Sequence, residues 1–543
     1  ADLLVDCLAA HAVDRVFCVP GESYLAVLDA LHDRNTIETI VCRHEGGAGF
    51  MGVADAKASG KPGVVMVSRG PGATNASIAV HVAEQDAVPL VLLVGQVPRG
   101  EIGRRSFQEV DYAKTFSDMA KAVYLIEDAD RIPELVARAF VDAQAPTPGP
   151  VVIVLPEDML EDSTASPVIE PLAVPRAGAA SPADIAEISD MLARAERPLL
   201  IPGGAFARPE ARAVLRAAAE KLQLPVLMSF KRQDYFPNAH PNYAGHLGFK
   251  IPQVQVDRYA AADLILAVGT RLGEVTTQGY TFPAAPVPKQ SLVHIHDDAR
   301  HIGRNFATAK ALVADPVAAL AALAAASGAA PSGRAAWIKS LHEPVAKLMP
   351  WAAPRDGALD MGAVVAALAK QTDKDAVFIT DAGNFSGWLH RHYPFSGDNL
   401  LIGCVGGAMG IGMPAAVAAG FRFPGRQIIT LLGDGGSLMT GSELATAVQY
   451  KVPVKVFISN NGSYGTIRWH QEKAYKGRVH GTALTNPDFV KWAESFGALG
   501  LRIETIGEAA DVVAAALAHD GPTVVDVQAS IDHITPFATI ADL

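Results

Sequence analysis

A chain of 543 residues is too long for one hydrophobic core and predicts about three domains. The formal net charge of −11, without a basic block, argues against nucleic acid as a partner. No apolar run reaches the ~18 residues that a membrane span requires, so we expect no membrane association. Four scattered cysteines show neither zinc spacing nor a disulfide framework, and no signal-peptide pattern opens the chain, so we expect a cytoplasmic protein.

Two linkers predict where the domains divide. Residues 165–184 are rich in proline and alanine without a sustained period, and residues 324–336 are similar. Elsewhere short apolar strands alternate with helical patterns, which is typical of parallel α/β sheets. We therefore predict an α/β protein of three doubly wound parallel-sheet domains, over residues 1–164, 185–326 and 355–543.

The first predicted domain carries an acidic residue at a strand end. Glu45 follows the short apolar strand in TIETIVCRH and precedes the small residues of a predicted helix. Alone, a glutamate there is explained by the favourable field at a helix N-terminus. A glycine-rich turn over residues 68–76 (SRGPGATNA) and the segment SFQEVD over residues 106–111 follow it. Because Glu45 does not stand alone, a functional role becomes the stronger interpretation.

The central predicted domain has strand ends of the kind that contact nucleotides. RPLLIPGGAFARPEA ends a strand in two glycines, AADLILAVGTRL contains a second strand, and SLVHIHDDARHIG contains a third that ends in acids. The pattern is not a G-x-G-x-x-G fingerprint and is weak by itself.

The third predicted domain contains the most informative motif of the chain. In IITLLGDGG a buried parallel strand ends at Gly433-Asp434-Gly435, where glycines let a phosphate approach backbone N–H groups. Residues 437–450 predict a helix that adds its positive end to this anion site. A second strand, VKVFISNN, ends at Asn461. Carboxylate and amide oxygens are ligands of Mg²⁺ or Ca²⁺, so these strand ends predict a metal-bound diphosphate.

The GDG motif, followed about two dozen residues later by NN, resembles the cofactor motif of the thiamine diphosphate (ThDP) enzymes. The other motifs stand in the order that this family shows. The resemblance implies a pyrimidine-binding, a central and a diphosphate-binding domain, in a homodimer or homotetramer with active sites at the subunit interface. It implies metal ligation by Asp434, Asn461 and the Ser463 carbonyl.

The same resemblance implies a larger set of cofactor contacts. They are Glu45, Gly70, Asn75, Gly383, Asn384, Phe385, Gly407, Met409, Gly433, Asp434, Gly435, Gly436, Ser437, Asn461, Tyr464 and Gly465. Glu45 would hydrogen-bond the aminopyrimidine and raise the basicity that activates the cofactor. Met409, in GGAMGIG, would be the apolar wedge that keeps the cofactor bent.

The segment Phe107-Gln108-Glu109 indicates a branch within this family, because it resembles the Phe-Gln-Glu of the acetolactate synthases (large catalytic subunit). This implies a decarboxylase and carboligase whose small-molecule carbonyl substrate is a 2-oxoacid such as pyruvate. We expect Phe107, Gln108 and His470 to act beside Glu45 as catalytic residues. Gln108 would point at the reaction intermediate.

Two departures leave the acceptor substrate open. Val275 stands where these synthases carry an arginine that holds the second 2-oxoacid, and His470 stands where they carry a tryptophan. Arg468 and His470, in a charged stretch, are candidate substitutes. A ThDP-dependent lyase acting on 2-hydroxy ketones or 2-hydroxyacyl-CoA, or a simple 2-oxoacid decarboxylase, therefore remains the alternative. The central domain also resembles branches that bind FAD, and it either binds FAD or serves only as packing.

Overall fold

The computed structural model describes residues 1–249, 251–328 and 331–543. Residues 329 and 330, which belong to the second predicted linker, lie outside the described residues. The described chain forms three sheets of six strands each. All strand pairs in the three sheets are parallel, so the predicted fold class is confirmed.

The N-terminal sheet has the strand order β2-β1-β3-β4-β6-β5. Its strands are β1 (Arg15–Cys18), β2 (Glu38–Val41), β3 (Gly63–Val67), β4 (Leu90–Gln96), β5 (Ala122–Leu125) and β6 (Pro150–Pro156). Its helices are α1 (Asp2–Ala10), α2 (Leu25–Asp33), α3 (Glu45–Ser59), α4 (Gly70–Asp86), α5 (Tyr112–Phe116) and α6 (Ile132–Gln144).

The central sheet has the order β12-β11-β10-β7-β8-β9, in which the direction of winding reverses between β10 and β7. Its strands are β7 (Pro198–Pro202), β8 (Val226–Met228), β9 (Tyr243–His246), β10 (Leu264–Val268), β11 (Ser291–His296) and β12 (Lys310–Val313). The helices here are α7 (Pro182–Arg194), α8 (Pro209–Leu222), α9 (Gln253–Ala260), α10 (Pro316–Ala326) and α11 (Arg334–Leu348).

The C-terminal sheet has the order β14-β13-β15-β16-β18-β17. Its strands are β13 (Val377–Thr380), β14 (Leu400–Gly403), β15 (Ile428–Gly433), β16 (Val454–Asn460), β17 (Leu499–Ile503) and β18 (Thr523–Gln528). The helices are α12 (Met361–Gln371), α13 (Ser386–His392), α14 (Gly412–Arg422), α15 (Asp434–Thr440), α16 (Leu444–Gln449), α17 (Gly465–Ala474), α18 (Phe489–Ser495) and α19 (Ala509–Ala518).

The central strands of each sheet are buried on both faces, which explains their continuous apolar runs. All five residues of β3 and all seven of β4 are buried, and so are the first five of β15. Parallel sheets place their ligands beyond the carboxyl ends of the strands, where the winding reverses. The three sheets therefore offer three such edges for a site.

The prediction of one continuous helix over residues 437–450 is wrong, because the structure has two short helices there, separated by a 3₁₀ turn. Helix α15 ends at Thr440, a 3₁₀ turn spans Gly441–Glu443, and α16 begins at Leu444. The Thr440 hydroxyl donates to the Gly410 carbonyl in the preceding loop. An added Cβ at Gly441 would lie 2.9 Å from the Trp492 ring, so tertiary packing rather than helix propensity sets this break.

The N-terminal and C-terminal domains pack directly on each other within the chain. Arg422 at the end of α14 donates to Asp55 in α3 at 2.8 and 2.9 Å and to Asp14 at 2.7 and 2.9 Å. Asp86, at the end of α4, accepts from the backbone N–H groups of Val405 and Gly406 at 2.7 and 3.1 Å. Among the described residues, no helix combines the length and apolarity needed to cross a membrane.

Candidate functional site

The predicted metal ligands converge at the ends of β15 and β16. The backbone N–H of Ser463 donates both to Asp434 Oδ2, at 3.2 Å, and to Asn461 Oδ1, at 3.1 Å. Asn486 Nδ2 donates to the same Asp434 oxygen at 2.8 Å. One N–H therefore holds a carboxylate oxygen and an amide oxygen side by side, although the two residues are far apart in sequence.

The electrostatics at Asp434 suit a cation. The residue is 3% exposed, and burial raises the pKa of its carboxyl. The groups that lower the pKa again are amide and backbone N–H donors, with no cationic side chain among them. Within the described ranges, no cluster of three or more His, Cys, Asp and Glu side chains is suited to a metal. A hard divalent ion bound by Asp434 with amide and carbonyl oxygens fits this donor set.

The glycines of the GDGG motif are required by close packing. A Cβ at Gly435 would lie 2.4 Å from the Tyr464 ring, and one at Gly436 would lie 2.7 Å from Asp381 Oδ2. A Cβ at Gly433 would reach the Phe385 ring at 3.0 Å. The motif is thus locked against Tyr464 and against the 381–385 segment, which brings three separately predicted cofactor segments together.

The loop between β14 and α14 is tied to the same place. Asp381, which is fully buried, accepts from the N–H of Gly410 at 3.0 and 2.9 Å, one distance to each oxygen. Gly407 and Gly410 have φ values of +71° and +89°, a region that favours glycine. Met409 is half-buried and lies outside the buried core, and its role as a wedge stays a prediction.

Glu45 is the first residue of α3 and is half-buried. Asn75 Nδ2 donates to Glu45 Oε2 at 2.9 Å, and a Cβ at Gly72 would lie 3.5 Å from Glu45 Oε1. The His44 ring caps α3 by accepting from Gly46 N at 2.9 Å. The structure therefore brings the predicted residues Glu45 and Asn75 together, at the start of α3 beside α4.

The sequence analysis missed Glu443, which links the C-terminal domain to the segment before Glu45 within one chain. This fully buried carboxylate accepts from the N–H groups of Arg43 and His44, each at 3.0 Å, and from the Thr446 hydroxyl at 2.6 Å. Burial raises the pKa of its carboxyl. A Cβ at Gly47 would meet Glu443 Oε1 at 2.4 Å. An acid inside the small apolar run ELATA was the only signal in the sequence.

Phe107 and Gln108 lie on an irregular loop of the N-terminal domain. Phe107 is 74% exposed, and Gln108 has a φ of +65° while its carbonyl accepts from Gly70 N at 2.9 Å. The loop is therefore anchored at the start of α4. Within one chain it presents Phe107 to solvent rather than to the cofactor segments of the C-terminal domain.

The charged stretch that contains Arg468 and His470 forms helix α17. Arg468 pairs with Glu472 at 2.9 Å, so its guanidinium is already engaged within the helix. Trp469 is buried, whereas His470 is exposed, and both line a large cavity. Of the two proposed substitute contacts, His470 alone reaches that cavity.

The cavity has a volume of about 2330 Å³ and lies between all three domains. Its walls include Gly203 and Gly269 at the switch point of the central sheet, and Gly383 and Gly407 of the C-terminal domain. A Cβ at Gly203 would lie 2.1 Å from the Gly269 carbonyl oxygen, so the two strand ends touch. The lining carries eleven lysines and arginines against six aspartates and glutamates, in a chain whose net charge is −11. An anionic ligand of dinucleotide size suits it.

Comparisons with known proteins cover almost the whole chain. Three family models of thiamine pyrophosphate enzymes match, the N-terminal TPP binding domain over residues 1–115, the central domain over 185–323 and the C-terminal TPP binding domain over 381–527. The acetolactate synthase large subunit of Parasynechococcus marenigrum (strain WH8102) is 34% identical over 97% of this chain and 87% of its own. The isozyme 1 large subunit of Escherichia coli (strain K12) is 33% identical over 94% and 90%, and the acetolactate synthase of Bacillus subtilis (strain 168) is 30% identical over 97% and 92%.

Proposed function

Since this chain belongs to the thiamine pyrophosphate enzymes, as a ThDP-dependent transferase of the acetolactate synthase type, we propose that it decarboxylates pyruvate or a similar 2-oxoacid and joins the two-carbon unit to an acceptor carbonyl. The observation that carries the proposal is the convergence of Asp434, Asn461 and Ser463 beside the GDGG turn. When bound, ThDP supplies a nucleophilic carbon that adds to a carbonyl and stabilises the charge left by decarboxylation.

Asp434, Asn461 and the Ser463 carbonyl would hold Mg²⁺, or Ca²⁺, and the metal would hold the diphosphate. The N–H groups of Gly435, Gly436 and Ser437 belong to the first turn of α15, where backbone donors lack helical acceptors. The metal would also relieve the cost of a buried carboxylate that has no cationic neighbour. Metal and diphosphate binding would therefore be mutually dependent.

Glu45 would hold a proton between its carboxyl and a ring nitrogen of the cofactor. Asn75 donates to Glu45 Oε2, which leaves Oε1 for that contact. The Asn75 amide would thus fix the orientation of the carboxyl, and Met409 would set the shape of the bound cofactor from the other domain. A general acid–base group in such a place contributes on the order of 10²–10⁴-fold to rate.

We place the complete active site between two copies of the chain, in a homodimer or homotetramer. Glu45 is not among the residues that line the cavity beside Gly383 and Gly407, as far as the described residues go. Exposed apolar side chains stand next to the cofactor motifs on both domains: Phe107 at 74%, Leu438 at 46%, Met439 at 49% and Ile467 at 53% exposed. A second copy that covers them would also bring a partner loop to the cofactor.

The central cavity would bind FAD. Its size, its excess of basic side chains and the tight contact of Gly203 with Gly269 support a dinucleotide at the switch point. The absorbance spectrum of the purified protein tests this directly. A flavin band that survives gel filtration is expected, and a colourless protein that takes up no added FAD would refute it.

The decisive experiment supplies purified protein with ThDP, Mg²⁺ and pyruvate and identifies products by mass spectrometry. Acetolactate, with its breakdown product acetoin, is expected. Acetaldehyde alone would mean a simple decarboxylase. If protein with bound ThDP does not consume pyruvate, the lyase is favoured. Val275 in the cavity wall supports the lyase, because a valine cannot pair with a substrate carboxylate.

A further inference from the structure

Lys231 is a buried lysine in the wall of the central cavity, and burial lowers the pKa of its ammonium group, which has no hydrogen-bonded counter-ion in the described part of the chain. Its side chain lines the cavity, and the residue is 3% exposed. Among the described residues its ammonium group has no hydrogen-bond acceptor, and it lies over the face of Phe230, at 5.6 Å from the ring centroid. Its φ of +56° is unusual for a residue with a side chain, and such strain commonly marks functional positions.

The nearby carboxylates, Asp86 and Asp381, bind other groups and form no hydrogen bond with Lys231 among the described residues. Asp86 forms an ion pair with Lys57 and accepts from two backbone N–H groups of the 404–406 turn. Asp381 accepts from Ala382 N at 2.7 Å and from Gly410 N. A buried cation without a hydrogen-bonded counter-ion is costly, so Lys231 is in place for an anion that enters through the cavity.

Two histidines, His246 and His390, share the wall of this cavity with Lys231. The rings of His246 and His390 lie 6.2 Å apart, and both residues line the cavity. Nε2 of His390 is buried without a hydrogen-bond partner among the described residues. His246, His390 and Lys231 thus form one cluster of cavity-lining side chains. Burial lowers the pKa of His390, and the charges of Lys231 and His246 lower it further.

This cluster lies near both the predicted cofactor segments and the loop that carries Val275. Gly383, Asn384 and Gly407 line the same cavity as Lys231. The N–H of Phe230 donates to the Thr276 hydroxyl at 3.4 Å, which places Lys231 beside the loop of Val275. A carboxylate on Lys231 would therefore sit between the cofactor segments and an apolar wall.

We propose that Lys231, which shares the cavity wall with His246 and His390, binds the carboxylate of the 2-oxoacid that accepts the two-carbon unit. The inference rests on the proposed carboligase function and names the group that selects its acceptor. The ammonium donates to the carboxylate oxygens, while Val275 and Phe230 contact the apolar end of the acid. The substrate class is a short 2-oxoacid, and neutral aldehydes or ketones bind less tightly.

The test uses the ThDP- and Mg²⁺-loaded enzyme and two unreactive probes, oxamate, which carries the carboxylate, and oxamide, which is neutral. Isothermal titration calorimetry should show oxamate binding at least about tenfold more tightly than oxamide, since hydrogen bonds to charged groups are strong. Lys231→Met should remove this preference, whereas Lys231→Arg should keep most of it. Lys289→Met, which removes an exposed lysine of the central domain that does not line the cavity, is the matched control and should bind both probes like the wild type.

Stability separates a binding role from a structural one. Because Lys231 makes no hydrogen bond, Lys231→Met should melt at or above the wild-type temperature, and its KM for pyruvate should rise more than its kcat falls. Equal affinity of the wild type for oxamate and oxamide would overturn the inference without any variant. Unchanged oxamate binding in Lys231→Met would also overturn it. The same holds if Lys231→Met loses bound FAD instead of losing affinity for oxamate.

The two proposals fail in different ways. If the enzyme forms acetolactate but its affinity for oxamate does not depend on Lys231, the proposed carboligase function is supported and the inference about Lys231 is wrong. Lys231-dependent oxamate binding in an enzyme that makes no acetolactate would remove the proposed function, and the anion site would belong to another carboxylate substrate.

Discussion

The N-terminal and C-terminal domains have the same strand order and carry different chemistry. Counted from the first strand of each, both sheets run 2-1-3-4-6-5. At the C-terminal edge, β15 and β16 are followed by Asp434 and Asn461, whose side-chain oxygens, with the neighbouring glycines, suit a metal and an anion. At the N-terminal edge the notable group is one carboxylate, Glu45, oriented by an amide. The comparison teaches that the fold supplies the edge and the residues at the strand ends supply the function.

The largest expected effect comes from the N-terminal edge. Glu45→Gln keeps the size of the side chain and its contact with Asn75 but removes the acid. We expect kcat to fall about a thousandfold, with ThDP affinity changed only a few-fold. Steady-state kinetics and calorimetric titration of ThDP measure the two quantities. Full activity in this variant would refute the assigned division of roles.

The C-terminal edge should show the opposite pattern. Asp434→Asn removes the only carboxylate of the proposed metal site, so the affinity for ThDP in the presence of Mg²⁺ should fall about a hundredfold. Excess Mg²⁺ and ThDP should restore part of the activity. Asp511→Asn, at an exposed position in the same domain, serves as the control. If Asp434→Asn lowers kcat without lowering the affinity for ThDP, the C-terminal edge does not serve cofactor binding as we propose.

A smaller effect concerns Asp381, which follows the first strand of the C-terminal sheet. Burial raises the pKa of this carboxyl to about 6, above its ordinary value of 3.8. A raised pKa means that its contribution to stability is present below pH 4 and is lost as the pH rises through 6, by about 2–3 kcal/mol. Asp381→Asn should remove that loss.

Urea unfolding of both proteins without ThDP and metal, at pH 4 and pH 7, tests this. As the pH rises from 4 to 7, the free energy of unfolding of the variant should increase relative to that of the wild type. A difference independent of pH would contradict the assignment.

The smallest expected effect tests the link between the two edges. Glu443→Ala leaves the N–H groups of Arg43 and His44 without an acceptor and should lower the free energy of unfolding by about 2 kcal/mol. Glu443→Gln, which still offers an oxygen, should lose less. Urea unfolding compares the three proteins, and equal stability would show that the two domains do not depend on this contact.

The sequence predicted those parts of the fold and site that depend on local pattern. Buried strands such as β15 appear as unbroken apolar runs, and Asp434 and Asn461 stand at their ends. The comparisons confirmed the family, the fold class and the carboligase function that these patterns predicted. Glu443, Lys231 and the break at Gly441 depend on partners far away in sequence. Their side chains acquire meaning only once the domains pack, which no local period reveals.

The separation of Glu45 and Asp434 on different domains has a genetic consequence. If each site combines the two residues from different chains, a dimer of one Glu45→Gln and one Asp434→Asn chain has one site with both defects and one site with neither. Two inactive proteins, unfolded and refolded together in equal amounts, would recover about a quarter of the wild-type activity. Two defective alleles would then complement each other in one cell, which a site within a single chain does not allow.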